Sequence, residues 1–132
     1  MRRSENYLIV IREADMENAI REKSMELAVR IVKLYNYLCE EKREYVMSKQ
    51  MLRSGTSIGA NVREGIYGQS KEDFVSKMSI ALKEASETEY WIELLRRTEY
   101  ITEKEYESIQ KDCGEVAKML TAIVKSAKKQ LK

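Results

Sequence analysis

Tyr106, Ile109, Cys113, Val116, Leu120, Ile123 and Ala127 recur at alternating intervals of three and four along the last part of the chain. Each residue of an α-helix turns through about 100°, so this spacing lines one face for about six turns, which no strand can do. The same periodicity runs through Ile20, Leu27, Ile31, Leu34, Tyr35 and Leu38. It returns in Phe74, Met78, Ala81, Ala85, Thr88, Ile92 and Leu95. No proline interrupts any of these stretches, and 35% charged residues supply the opposite faces. A sheet protein would need turn residues at short intervals, which this chain lacks.

The boundaries follow from capping residues. Asp15 is placed to cap a first helix over residues 16–42, and Ser48 to cap a second that ends near Tyr67 with Gly68 in a left-handed conformation. Ser70-Lys71-Glu72-Asp73 resembles a capping box opening a third helix that reaches about Tyr100. Thr102-Glu103-Lys104-Glu105 is a full capping box opening a fourth. Short connections force antiparallel neighbours, so the expected fold is all-α, an up-down-up-down antiparallel four-helix bundle. A chain of 132 residues makes one such domain. Residues 1–15 stand apart as an N-terminal arm or helical extension, because Tyr7 to Ile11 is strand-like in composition but has no hairpin partner. Residues 16–132 are the bundle domain.

Helix two is unusual. Four of the five glycines, Gly55, Gly59, Gly65 and Gly68, lie within or just after Arg53-Ser54-Gly55-Thr56-Ser57-Ile58-Gly59-Ala60-Asn61-Val62-Arg63-Glu64-Gly65. A heptad places Met47, Met51, Ser54, Ile58, Asn61 and Gly65 on one line. A buried amide costs about 1–3 kcal/mol if unpaired, so Asn61 is expected to bond to a facing helix. Two readings stand: a polar residue that sets helix register, or a ligand contact. Gly55 and Gly59, spaced G-x-x-x-G, let another backbone approach. The run is no phosphate loop, which needs a G-x-x-x-x-G-K-[ST] pattern after a strand.

Two other faces carry hypotheses. Ile80, Trp91 and Leu94 project opposite the core stripe of helix three. Either they form an oligomer interface, or a wide core or the N-terminal arm covers them. Lys104, Lys111, Lys118, Lys125 and Lys132 recur every seven residues, with Lys128 and Lys129 thickening the line. That line is either a solvated outer face or a track for polyanions. Net charge is only +2, from 24 basic and 22 acidic residues, short of a dedicated nucleic-acid binder.

Chemistry of its own is not expected. The chain has no histidine, so the commonest general base and metal ligand are missing, and no catalytic, metal or cofactor residues are assigned. Glu84, Glu87 and Glu93 lack the Glu-x-x-His element of carboxylate metal bundles. Cys39 and Cys113 read as free thiols of a reducing, cytoplasmic compartment. No apolar run reaches the ~20 residues of a membrane span. The Arg2-Arg3 start, with only Leu8 to Ile11 as an apolar run, is too short for a signal peptide. Neither membrane nor small-molecule substrate is expected.

The run Leu52 to Gly65 resembles the signature of the four-helix-bundle proteins encoded in intervening sequences of bacterial 23S rRNA genes. Phe74-Val75-Ser76-Lys77-Met78-Ser79-Ile80-Ala81-Leu82-Lys83-Glu84-Ala85 and Glu89-Tyr90-Trp91-Ile92-Glu93-Leu94-Leu95 are similar to its third helix. The likeness spans about Ile20 to Lys125 and departs at Arg63, where that family more often has a small or acidic residue. It implies a bundle that assembles with copies of itself into a cyclic pentamer, with no established activity and no catalytic residues to carry over. The same superfamily holds accessory variability determinants of diversity-generating retroelements, basic pentamers that engage a reverse transcriptase and nucleic acid. The leading expectation is a non-enzymatic homo-oligomeric scaffold acting through protein contacts. The alternative is a weak, sequence-independent nucleic-acid-binding accessory factor, partnering a reverse transcriptase.

Overall fold

The structure, a computed structural model, describes the backbone of residues 2–131 and the side chains of residues 12–131. Its regular elements are four helices, α1 Arg2–Glu40, α2 Met47–Ile66, α3 Lys71–Arg97 and α4 Glu103–Gln130. Each packs on its neighbour in the chain, and α4 returns to α1 through the thinnest of the four seams. The result is a four-helix bundle whose core is built from the periodic apolar positions. Ile20, Leu27, Ile31 and Leu38 of α1 meet Met51, Ile58 and Val62 of α2, with Met78, Ala85, Ile92 and Leu95 of α3 and Cys113, Val116 and Leu120 of α4.

Several boundaries differ from the sequence expectation. Residues 2–15 continue α1 as helix, so Asp15 caps nothing and the strand-like composition of Tyr7 to Ile11 yields to helix propagation from its C-terminal side. Helix α2 begins at Met47, so Ser48 lies inside it, and the N-cap position falls to Val46, which offers no side-chain acceptor. Gly68 does not adopt positive φ. The left-handed residues are Arg43 (φ 53°) and Glu99 (φ 67°), neither of them glycine. At the end of α3, Glu99 N–H donates to Arg96 O (3.0 Å) and Tyr100 N–H to Leu95 O (2.9 Å), a Schellman closure with glutamate in the glycine position. At the start of α3, the Ser70 hydroxyl accepts from Asp73 N–H, but Asp73 is too short to complete the box. Thr102 and Glu105 complete theirs at α4.

The small residues of α2 control its distance from α1. A β-carbon added at Gly55 would lie 2.8 Å from Ile31 Cγ2 and 2.9 Å from Cγ1, and one at Gly59 would lie 3.4 Å from Ser24 Oγ. At Gly65 it would meet Lys77 Cβ at 3.1 Å, on the α3 side. Gly114, by contrast, has nothing within 4 Å of such an atom. Two alanine substitutions therefore have opposite signs. Gly55→Ala overpacks the α1–α2 seam by more than helix propensity returns and should cost about 1 kcal/mol or more. Gly114→Ala gains helix propensity without contact and should stabilise by about 0.5–1 kcal/mol. Urea unfolding of both variants checks the pair; equal shifts would contradict the close approach at Ile31.

Candidate interaction surfaces

Ser54, Gly55, Ile58 and Gly65 are buried, whereas Gly59 and Asn61 are half-buried. The fully buried polar contact between α2 and α3 belongs to Ser54. Thr88 Oγ1 donates to Ser54 Oγ at 2.8 Å, both residues fully buried, and so ties α2 to α3. Asn61 instead donates within its own helix, to Ser57 O at 2.9 Å and Ser57 Oγ at 3.0 Å. The expected bond from Asn61 to a facing helix is not formed. The buried stripe of α2 runs through Ser48, Met51, Gly55, Ile58, Val62 and Gly65, so it starts at Ser48 rather than Met47, and Val62, not Asn61, faces the core.

On the flank facing α3, Arg53 pairs with Glu84 (3.3 Å) and with Glu87. The indole N–H of Trp91 donates to Glu87 Oε2 at 3.0 Å. That indole bond and the Arg53 guanidinium hold the Glu87 carboxyl below the usual range. Trp91 is thus half-buried and clamped toward α2 rather than freely exposed. Of its predicted companions, Leu94 is half-buried and Ile80 is 38% exposed, with Tyr90 beside them at 59%. Glu93 pairs with Arg97 at 3.2 Å. Among the described residues, no group of three His, Cys, Asp or Glu side chains could hold a metal ion.

A second apolar ridge escaped the sequence reading. Met25, Val29 and Val32 of α1 are 44%, 46% and 39% exposed, at steps of four and three on the flank that leans toward α2. Their spacing was visible, but α1 carries apolar residues on two faces and only one was read. The exposed faces of α1 and α3 thus bracket the small residues Thr56, Ser57 and Ala60 of α2. On α4, Lys104, Lys111, Lys118, Lys125, Lys128 and Lys129 are all exposed, while Lys132 lies outside the described residues.

The corner between α1 and α2 holds a polar group that the sequence reading passed over. Glu44 is 7% exposed. Its carboxylate accepts from Ser48 N–H (2.7 Å), Val46 N–H (3.0 Å) and Met47 N–H (3.1 Å), so it caps α2 from two residues before the N-cap. Ser48 Oγ donates to Glu44 O at 2.7 Å. Burial by itself would raise the Glu44 carboxyl, but the three N–H donors outweigh it and hold the group below the usual range. Both cysteines are free, and burial pushes the Cys113 thiol up to about 12, which leaves it inert.

The model of the 23S rRNA-intervening sequence protein family matches residues 16–122. Among solved structures, the chain is similar to a protein of unknown function from the S23 ribosomal protein family of Bacteroides thetaiotaomicron. The two share 60% identity with a TM-score of 0.82, over 83% of this chain and 98% of that one. No curated protein matches the chain. No helix of the described residues is long and apolar enough to cross a membrane.

The Glu44 cap makes stability depend on pH with a definite sign. A carboxyl whose folded pKa is depressed contributes fully above its unfolded value, about 4.3, and that contribution is lost as pH falls through the folded value. Glu44→Gln should cost about 1–2 kcal/mol at pH 7 and flatten the decline below about pH 5. Chemical denaturation across that range checks it; parallel curves for the two proteins would contradict the assignment.

Proposed function

The chain belongs to the 23S rRNA-intervening sequence protein family, and from that premise we propose that it is a non-enzymatic scaffold that assembles with copies of itself into a ring. The observation that carries this reading is the pair of exposed apolar ridges, Met25-Val29-Val32 on α1 and Ile80-Leu94 with Tyr90 on α3. They lie on different helices and do not cover each other, since α1 packs on α2 and α4, not on α3. A ridge on one copy that meets the other ridge on the next is a heterologous contact, which closes into a ring when the rotation allows. The family resemblance supplies five as the number of copies. Two unpaired cysteines fit a reducing, cytoplasmic setting. The carboxylates that could have done chemistry, Glu84, Glu87 and Glu93, are occupied by Arg53 and Arg97.

Light scattering and native mass measurement test the assembly. Val29→Glu and Ile80→Glu should each give a monomer, and Ile80 is the better target on α3 because Trp91 also anchors the Glu87 network. Mixing the two variants should give a dimer, since each retains the ridge that the other has lost. An unchanged mass in either single variant would sink the reading.

A second reading rests on the six exposed lysines of α4. Arrayed around a ring they form a multivalent track for nucleic acid, in the manner of an accessory factor to a reverse transcriptase. Short RNA should then bind weakly at ~50 mM salt and be released steeply as salt rises. Absence of binding at ~50 mM salt would remove it.

A further inference from the structure

The α1–α4 seam is thin because it is joined by polar contacts more than by core. Arg30 spans it, donating to Asp112 Oδ2 (2.5 Å), Ser108 O (3.0 Å) and Ser108 Oγ (2.8 Å). Between this clasp and the turn that begins α4, the helices leave a cleft of about 530 Å³. Its floor is apolar: Leu34 from α1, Ile109 from α4 and Ile101 from the turn. Ile101 and Ile109 are buried, while Leu34 and the wall residue Tyr37 are half-buried. Lys33 on α1 and Lys104 on α4 stand exposed on the two walls.

The charges of this cleft do not cancel. Among the described residues, Glu105 is the one acidic residue that lines it, held by Thr102 N–H at 2.8 Å, against two lysines. Arg30 is spent on Asp112. Lys33 and Lys104 make no ion pair among the described residues. Two ammoniums on opposite walls above an apolar floor attract an anion with several acceptor oxygens. A flat apolar body fits the floor, and its volume falls in the range of small-molecule sites. Tyr37 offers a ring for stacking, the aromatic element that the lysine line of α4 lacks.

We propose that the cleft between α1 and α4, walled by Lys33, Lys104 and Tyr37, binds an aromatic phosphate of the nucleotide kind. The anion lies between Lys33 and Lys104, and the base lies on Leu34, Ile101 and Ile109 against Tyr37. The site goes beyond the scaffold reading and does not depend on it. The cleft lies at the α1–α4 seam, and its wall residue Lys33 neighbours Val29 of the α1 ridge.

Adenosine 5′-monophosphate is the probe, titrated at ~50 mM salt against the full chain with amide chemical shifts as readout. Saturable shifts should cluster on residues 30–37 and 101–109. Adenosine alone and inorganic phosphate alone should each bind at least about tenfold more weakly. Lys33→Glu and Lys104→Glu should each weaken binding by about tenfold or more, and Tyr37→Ala should do the same. Lys118→Glu, on the same helix outside the cleft, should leave it unchanged. An oligouridylate of about ten nucleotides distinguishes the sources. If it binds through the cleft more tightly than uridine 5′-monophosphate, the natural occupant is a unit of a strand. If the two are equal, it is a free nucleotide. Binding that Lys118→Glu weakens as much as Lys104→Glu would overturn the site, as would no binding of the mononucleotide or oligonucleotide at ~10 mM. Native mass measurement of Lys33→Glu and Lys104→Glu keeps this outcome separate from any change in assembly.

Discussion

The contact of Gly55 with Ile31 sets the spacing on which the bundle is built. With no side chain at Gly55 and Gly59, α1 settles onto α2 until Ile31 and Ser24 nearly touch its backbone. On the opposite flank, the buried Ser54–Thr88 bond fixes how α2 meets α3. A helix of larger residues would hold α1 away and open voids along Ile31, Leu27 and Ile20, each losing dispersion contacts that cannot be recovered elsewhere. The small residues therefore cost helix propensity locally and are offset by packing density across the seam.

The helical pattern was legible where side chains speak through periodicity. The stripes of α3 and α4 and the Thr102 box are local, repetitive and independent of distant partners. What was not legible depended on geometry that builds up over distance. Asn61 was placed in the core by a heptad begun at Met47, whereas the buried repeat begins at Ser48 and passes through Gly55 to Val62. Glu44 caps α2 from outside the usual capping positions, through a loop turned by the left-handed Arg43, and no short motif announces that arrangement. Glycine at position 68 pointed to a left-handed cap, yet the chain spends that conformation on Arg43 and Glu99. The ridge of Met25, Val29 and Val32 was hidden because it shares a helix with a stronger core stripe.

Membership of the family and likeness to a structure of unknown function define architecture, and what distinguishes this chain lies on its surfaces. The four sides of the bundle are unequal. The side centred on α2 is apolar at both margins and small-residued at its centre, which suits contact with another protein surface. The α1–α4 seam is a polar clasp over an apolar floor, suited to a small charged ligand. Both chemistries share α1, with Met25, Val29 and Val32 on one flank and Arg30, Leu34 and Tyr37 at the seam with α4.

The thinness of that seam also bears on how the chain folds. Three of the four helix–helix seams join elements consecutive in sequence, so they form by closing short loops. Only the fourth requires a distant meeting, with Arg30 reaching Asp112 across 82 positions. Loop-closure entropy grows only logarithmically with separation, and a topology so dominated by neighbouring pairs belongs to the fast-folding class. The same seam brings Glu13 within 2.9 Å of Gln130, so the two ends of the bundle's sequence lie side by side. The α1–α4 closure is thus the step that joins the first helix to the last.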